Sequence, residues 1–303
     1  MADVPLTHFA KPPWSLSGGG AGSLQKRIER AAAARLGERS ESIGRTTASG
    51  ADDAFFLPDR ASVHRLSEHG STRPLVVGDL VRDFSFSGTI QIRNPYLDPA
   101  NSKPMGAEGS PHQTQLVAAP QHSGAACHLQ QTLAENGTPW YVHLESYSSK
   151  LRSPRGIAFA FVATRNHFTY DRDSLLFNRT APVIKLPEEA SEDQHWELLG
   201  LLNSSAGCFW MKQVCHDKGS QSGTGGFMHD EWERFYELTG TKLQEFPLPQ
   251  QLPLNLGQEI DALAQQSAKH NPSTIMDANV PTREVLDEAR QRQEQLRERM
   301  IAL

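Results

Sequence analysis

The chain has 303 residues, enough for one large domain or two smaller ones, each with a hydrophobic core. Its net charge of −5 speaks against a protein that coats nucleic acid with basic residues over its whole surface, and no apolar run approaches the ~20 residues of a membrane span. The three cysteines are irregularly spaced and the first residues lack the apolar core of a signal peptide. We therefore expect a cytoplasmic protein with no disulfide framework, no metal site and no membrane partner.

Residues 1–50 are predicted to form a linker followed by a helix. An alanine-rich segment predicts the helix, from about residue 24 to residue 36. A glycine-rich turn, with Gly18, Gly20 and Gly22, precedes it. Such a turn binds a dinucleotide or S-adenosylmethionine only where a hydrophobic strand leads into it, and KPPWSLS is not such a strand. We therefore expect no cofactor to bind in this chain.

Residues 51–250 are predicted to form a β-rich domain. Short apolar runs broken by turn residues predict strands within segments 54–58, 74–88, 89–97 and 167–179. GIAFAFVAT, residues 156–164, is the strongest candidate, because its continuous apolar run suits a strand buried on both faces. Residues 98–126 are rich in Pro, Ser, Gly, Gln and His, and predict a long loop.

A strand and a helix are predicted close together after residue 180. Two prolines bound the extended segment APVIKLP, residues 181–187. Ser191, with Gln194 three residues later, has the pattern of a capping box and predicts a helix start. The helix should pack through Trp196, Leu199 and Leu202, which recur at spacings of three. A second apolar segment then leads to a polar, glycine-rich loop at residues 218–226.

Residues 251–303 are predicted to form a helical tail, with a modest helix at 258–268 and a better one at 282–303. The better helix carries a seam at alternating spacings of three and four, with one polar position: Leu286, Ala289, Gln293, Leu296, Met300 and Leu303. Because the seam is still in pattern at the last residue, we expect a truncated or split protein. The expected fold class is α+β, a mixed β-sheet domain with a helical C-terminal tail.

Charge is unevenly distributed along the chain. Between Glu145 and Lys185, seven basic residues stand against three acids, a net charge of +4. A local patch of this kind can bind a phosphate backbone even on an acidic protein. An ordinary solvated surface is the alternative interpretation.

Arg93-Asn94-Pro95-Tyr96 follows a predicted strand and is similar to the Asn-Pro-Pro-Tyr signature of DNA amino-methyltransferases. That signature holds the amino group of a flipped adenine. Here the second proline is missing, and no S-adenosylmethionine motif precedes the segment. Catalysis from a degenerate site at Asn94-Pro95-Tyr96 is therefore the second hypothesis for this chain.

Four segments carry a resemblance to a known family: residues 153–168, 177–187, 198–219 and 236–249. They resemble the C-terminal target-recognition region of the PglX adenine-specific DNA methyltransferases of type 2 BREX phage-defence systems. The resemblance to specificity domains of type IIG and TaqI-like restriction-modification enzymes is more distant. Segments 13–25, 51–58 and 73–84 are similar to the same region, more weakly.

The resemblance implies a function for the predicted domain at residues 51–250. It would be the DNA target-recognition domain of an N6-adenine methyltransferase, with double-stranded DNA as its partner. The catalytic domain, with its S-adenosylmethionine site, would lie upstream of Met1, so the chain would be inactive alone. It would act with that catalytic domain or with other BREX components. A vestigial gene fragment that folds poorly is a third hypothesis.

A domain that reads bases needs a rigid β scaffold, a basic face for phosphates and polar loops that enter a groove. Arg165 and Asn166, in the turn after the central strand, are the best candidates for base contacts, because Arg suits guanine and Asn suits adenine. Three residues before the glycine-rich loop come next: Lys212, His216 and Lys218. The remaining basic residues are expected to hold phosphates: Arg152, Arg155, Arg172 and Arg179.

Overall fold

The computed structural model describes residues 20–57, 72–98, 103–104, 142–152, 155–218, 234–278 and 280–302. Their helices, in chain order, are α1 (Ala21–Arg30), α2 (Leu36–Arg39), α3 (Asp52–Phe55), α4 (Ser148–Arg152), α5 (Glu192–Leu202), α6 (Ser205–Val214), α7 (Gly240–Gln244), α8 (Leu254–Ala268), α9 (Pro272–Ala278) and α10 (Arg283–Ala302). None of these helices is long and apolar enough to cross a membrane.

The strands formed by the described residues are short. They are β1 (Ala32–Arg35), β2 (Ser42–Gly44), β3 (Thr47–Ala48), β4 (Phe56–Leu57), β5 (Thr72–Val76), β6 (Val81–Arg82), β7 (Ser85–Phe86), β8 (Ile90–Arg93), β9 (Tyr96–Asp98), β10 (Lys103–Pro104), β11 (Glu145–Ser146), β12 (Gly156–Phe159), β13 (Val162–Ala163), β14 (Phe168–Asp171), β15 (Leu176–Phe177), β16 (Val183–Lys185), β17 (His216–Asp217), β18 (Tyr236–Glu237) and β19 (Pro247–Pro249). The predicted α+β class is confirmed.

The main sheet is antiparallel, with strand order β14-β12-β16-β2. Its inner strand β12 is buried at every residue, as the apolar run predicts. Ile157 and Phe159 belong to the largest hydrophobic cluster, whereas Ala158 and Ala160 belong to another on the opposite side. The predicted strand at residues 156–164 is not continuous, however, because the chain leaves β12 after Phe159 and pairs elsewhere as β13.

A second sheet has the order β15-β5-β8-β4 and is mixed, because β15 runs parallel to β5 while the other pairs are antiparallel. This agrees with the expected mixed arrangement. The strand predicted at residues 54–58 is wrong in its first half. Asp52 and Asp53 lie in the first turn of α3, where negative charge stabilises a helix, and only Phe56–Leu57 pairs as a strand.

The N-terminal helix is shorter than predicted. It ends at Arg30, and the alanine-rich residues after it form β1, which pairs antiparallel with β19. Backbone pairing with Pro247–Pro249 therefore outweighs the helix propensity of alanine in Ala32–Arg35. Strand β2 lies at the edge of the main sheet. The division expected at residues 50 and 250 stays a prediction, although residues on both sides of each boundary share these sheets and cores.

Helix α5 begins as its sequence predicts. The Ser191 hydroxyl accepts from the Gln194 amide, and the Gln194 side chain accepts from the Ser191 amide at 2.9 Å. Leu199 and Leu202 of the predicted face are buried, and Trp196 packs half-buried against the same cluster. The predicted strand before this helix is confirmed as β16.

The C-terminal helices pack on this core. Helix α8 lies against α5, where Gly200 and Gly257 let the two backbones approach: a Cβ at Gly257 would lie 2.4 Å from the Trp196 carbonyl oxygen. Helix α10 packs against α8 with Ala289 and Leu296 buried. The polar position of the seam, Gln293, donates to the Asn271 side chain at 2.6 Å.

Several predicted features lie wholly or mostly outside the described residues. They are Gly18 of the glycine-rich turn, Cys127 among the three cysteines, the long loop at 98–126 except for β9 and β10, the glycine-rich loop after Lys218, and Leu303 at the end of the seam.

The capping box should contribute measurably to stability. Ser191→Ala removes the side-chain acceptor for the Gln194 amide, so the free energy of unfolding in urea should fall by about 1 kcal/mol. Ser205→Ala, at an exposed serine in α6, should change it by less than about 0.5 kcal/mol. Equal effects of the two substitutions would contradict the role of the cap.

The seam of α10 should be a packing element. Leu296 is 1 % exposed, so Leu296→Ala should lower the free energy of unfolding by about 2–5 kcal/mol. Ile301 on the same helix is 75 % exposed, and Ile301→Ala should cost less than about 0.5 kcal/mol. Urea denaturation measures both. A tail that melts separately from the core, with no effect of Leu296→Ala on the main transition, would refute the packing.

Candidate nucleic-acid interface

A three-stranded sheet gathers candidate residues from distant parts of the sequence. Its order is β13-β18-β17, and we call it the small sheet. Strands β13 and β17 are both antiparallel to β18, so they run in the same direction. The chain therefore leaves both strands at one end of the sheet. Arg165 follows β13 there, Lys218 follows β17, and Arg234 precedes β18 at the same end.

Two more predicted residues belong to the small sheet. His216 is an exposed residue of β17. Lys212, near the end of α6, places its Nζ 5.5 Å from the centroid of the Tyr236 ring, a cation–π contact with β18. Four predicted residues, Arg165, Lys212, His216 and Lys218, thus surround one sheet. Sequence reasoning missed Arg234, because it lies in the acidic stretch HDEWERFYE and only strand pairing brings it here.

Each cation at this end has an acidic partner. Arg165 pairs with Asp83 at 3.0 Å, Lys218 with Glu237 at 3.5 Å, and Arg234 with Asp217 at 3.7 Å. The basic side chains are between 41 % and 68 % exposed. Exposed pairs of this kind contribute at most about 1 kcal/mol, so a phosphate can replace the carboxylate at little cost.

Asn166 is not presented to a base in this structure. It is buried, and its Nδ2 donates to the carbonyl oxygens of Leu202 at 2.6 Å and Ser204 at 3.2 Å. Asn203 makes a matching connection in the other direction: it accepts from the Phe168 amide and donates to the Phe168 carbonyl. The two amides join the start of β14 to the α5–α6 junction, so the donors of Asn166 are used inside the protein.

The basic stretch between residues 145 and 185 does not form one face. Gly156 pairs with Asp171, so Arg155 and Arg172 flank the end of the main sheet that is away from the loop carrying Arg165. Arg172 forms an ion pair with Asp261 of α8 and stacks 4.8 Å from the Tyr170 ring centroid. The net charge predicted one basic surface. In the fold, Arg155 and Arg172 lie at one end of the antiparallel strands β12 and β14, and Arg165 lies at the other end.

The other phosphate candidates differ in their surroundings. Arg155 is exposed and donates to the Ala190 carbonyl at 3.3 Å. Arg179 is exposed beside Thr180, whose carbonyl accepts from the amide of Phe161, close to the start of β13. Arg152 is the last residue of α4, and its side chain lies outside the described residues. Arg179 is thus the candidate of this group nearest in the fold to the small sheet.

Two of the counted charges are internal. Lys185 is buried, donates to the Arg155 carbonyl at 2.7 Å, and has its pKa lowered to about 8 by burial. Asp171 is also buried, and burial raises its pKa to about 6, while the amides of Asp173 and Leu175 donate to its Oδ1. Neither residue can reach a nucleic acid.

The segment Asn94-Pro95-Tyr96 is packed into the protein. Asn94 is 5 % exposed, and its Nδ2 donates to the Tyr96 carbonyl at 3.0 Å. The Tyr96 hydroxyl accepts from the His143 amide at 3.1 Å, and burial raises the pKa of Tyr96 to about 12. The His143 and Tyr96 rings meet edge to face, with centroids 5.3 Å apart. The amide that would hold a flipped adenine therefore faces the interior.

Comparison with known proteins gives one relative by sequence. The chain is 40% identical over 306 residues to the adenine-specific methyltransferase PglX of Streptomyces coelicolor, an alignment that covers 98% of this chain and 25% of that protein. The chain thus spans about a quarter of the length of this relative. No family model matches the chain. The predicted resemblance to PglX is confirmed.

The solved structures that match the chain include two restriction enzymes. The type IIL restriction-modification enzyme MmeI, in complex with DNA, has a TM-score of 0.49 and 15% identity over 89% of this chain and 34% of that chain. The type IIG restriction endonuclease BpuSI has a TM-score of 0.47 and 10% identity over 92% of this chain and 33% of that chain.

The buried carboxyl group should make stability depend on pH. Because the folded pKa of Asp171 is about 6, above the unfolded value of 3.8, the folded state binds the extra proton between these values. Its contribution is therefore present below about pH 4 and lost as pH rises through 6. The difference in unfolding free energy between wild type and Asp171→Asn should fall by about 3 kcal/mol over this range.

Asp173→Asn is the matched control, since Asp173 is exposed two residues away and its charge is only a minor cause of the raised pKa of Asp171. Its pH profile of unfolding free energy should follow that of wild type. If the pH profile of Asp171→Asn runs parallel to that of wild type, the pKa of Asp171 is not raised.

Proposed function

We propose that this chain is the DNA-binding, sequence-recognising portion of an N6-adenine DNA methyltransferase. The similarity to PglX relates the chain to part of an adenine-specific methyltransferase. The DNA-recognition role rests on one observation: the small sheet collects Arg165, Lys212, Lys218 and Arg234 at its surface from three separate segments. Lys212, Lys218 and Arg234 have aromatic or partly exposed acidic partners, which they can exchange for phosphate oxygens, and Arg165 keeps nitrogens that Asp83 does not engage.

The partner that fits this surface is double-stranded DNA. Lysine contacts to phosphates fix the position of a duplex, whereas sequence is read by side chains that reach base edges in a groove. Lys212 and Lys218 suit the first task, and Arg165 suits the second. In the proposed complete enzyme, a separate catalytic domain binds S-adenosylmethionine and transfers the methyl group. The protein would act in the cytoplasm as part of a BREX-like or restriction-modification defence, with other components of that system as further partners.

Methylation by this chain alone is the second candidate, and the geometry disfavours it. A methyltransferase must present an acceptor to the amino group of an extruded base. Both the Oδ1 acceptor of Asn94 and its Nδ2, which donates to the Tyr96 carbonyl, are instead buried inside the protein. Tritiated methyl transfer from S-adenosylmethionine to duplex DNA by the purified chain tests this. We expect none; robust incorporation that Asn94→Ala abolishes would overturn the proposed division of labour.

Binding to duplex DNA should depend steeply on salt. Each phosphate neutralised by a lysine or arginine releases counterions, so affinity should fall on the order of tenfold or more between 50 and 200 mM salt. Lys212→Ala and Lys218→Ala should each weaken binding to all sequences alike and reduce the salt slope by about 0.9. Fluorescence anisotropy with a labelled duplex measures both quantities.

Arg283→Ala is the matched control for charge. Arg283 is 95 % exposed on α10, away from the small sheet, so losing its charge should leave the affinity and its salt slope unchanged. An affinity that does not depend on salt would overturn the phosphate role. An equal loss for Arg283→Ala would show attraction by overall charge rather than by this surface.

A further inference from the structure

Asp83 forms an ion pair with Arg165 and lies in the loop between β6 and β7, outside the small sheet. Its Oδ2 lies 3.0 Å from an Nη of Arg165, and its Oδ1 lies 2.6 Å from Nδ1 of His167. One carboxylate thus connects both ends of the three-residue segment Arg165–His167. Each oxygen has a different partner, so the carboxylate is fixed in rotation as well as in position.

The turn that carries Asp83 is anchored unusually firmly. Strands β6 and β7 pair Arg82 with Ser85, which leaves only Asp83 and Phe84 in the loop. Phe84 has φ of 61°, in the left-handed region that a bulky residue rarely adopts. Such a conformation persists only where the surroundings over-determine it, and it is found disproportionately at functional sites.

The contacts of Phe84 hold its backbone in this conformation. Its ring is buried in the largest cluster, and its amide donates to the Phe168 carbonyl at 3.0 Å. Its own carbonyl accepts from Gln265 of α8 at 3.0 Å. The Thr169 hydroxyl lies within hydrogen-bond distance of the carbonyls of Arg82 and Ser85 on either side of the loop. The adjacent Asp83 is therefore delivered to the surface by a rigid support.

The guanidinium that Asp83 holds remains able to bind. Arg165 is 59 % exposed, and the pair engages one nitrogen, Nη2. The carboxylate reduces the net charge of the group, which weakens its attraction to phosphates. It also restrains the position of the fork, which favours a partner with two acceptors at a set spacing. In the major groove of DNA, O6 and N7 of guanine are such a pair.

We infer that Asp83 is a positioning residue that orients Arg165 to read a guanine in duplex DNA; this rests on the proposed DNA-binding function. Arg165 makes the base contact. Asp83 acts through it, and His167 fixes the carboxylate of Asp83. Recognition then depends on a side chain 82 residues away in sequence, on a hairpin that does not belong to the small sheet.

The test is selection of bound sequences from a pool of random 30-base-pair duplexes by the full 303-residue chain, followed by affinity measurement on the selected sequence and its single-base variants. Wild type should require guanine at one position. Arg165→Ala and Arg165→Lys should both lose this preference, by roughly 5- to 150-fold, because lysine keeps the charge but not the fork. Neither should change the preference at the other positions.

Asp83→Asn carries the new part of the inference. It keeps the size of the side chain and removes its charge, so the guanine preference should fall at the same position by roughly two- to fivefold. Affinity for unrelated duplexes should stay equal or rise, because a negative charge has gone. Asp287→Asn is the matched control: it removes a carboxylate that lies between Arg283 and Arg290 on α10, and the preference should be unchanged.

The outcomes separate this inference from the proposed function. No binding of wild type to any duplex at 50 mM salt would overturn both. If wild type binds DNA with no guanine preference, DNA binding stands and the base-reading role of Arg165 is overturned. If Arg165→Ala instead weakens binding to all sequences alike and lowers the salt slope, Arg165 is a phosphate contact. A guanine preference lost in Arg165→Lys but unchanged in Asp83→Asn would remove the positioning role alone. Thermal melting of each variant confirms that it is folded.

Discussion

Two hydrophobic cores share one strand, and the rest of the structure depends on it. Consecutive side chains of a strand point to opposite faces, so Ile157 and Phe159 enter one cluster while Ala158 enters the other. The small residue on the second face lets Phe177 and its neighbours lie close to the backbone. Because β12 is buried on both faces, its backbone amides and carbonyls need partners inside the protein. Strands β14 and β16 supply them along its two edges, and the register of β12 sets the register of both neighbours.

That strand also fixes the candidate interface. The strands of the small sheet are two residues long, and so short a sheet is not stable by itself. Phe161, two residues beyond β12, holds it in place: its amide donates to Thr180 and its carbonyl accepts from the Leu238 amide. A surface attached in this way is rigid where it joins the core, and its outer residues can differ without disturbing the packing.

Sequence patterns predicted correctly those helices and strands whose formation depends on neighbouring residues. The capping box at Ser191, the buried strand β12 and the helical tail follow from neighbouring residues alone. Backbone pairing with β19 decides Ala32–Arg35, over 200 residues away, and no local pattern could show it. The same limit applies to the interface: Arg and Lys are visible in the sequence, whereas the positions of Arg234 and Asp83 beside them exist only in the fold.

Counting charges along the sequence grouped basic residues that the fold separates, and the burial of their acidic partners distinguishes them. Arg172 pairs with Asp261, which is only 6 % exposed, and removing the cation would leave a buried carboxylate without its ion pair, at a cost of about 1–3 kcal/mol or more. Arg165 pairs with Asp83, which is 37 % exposed, and breaking such a pair costs at most about 1 kcal/mol. The two ion pairs thus differ in the free energy needed to separate them. Exposure of the acidic partner distinguishes a cation committed to the fold from one whose pairing costs little to rearrange.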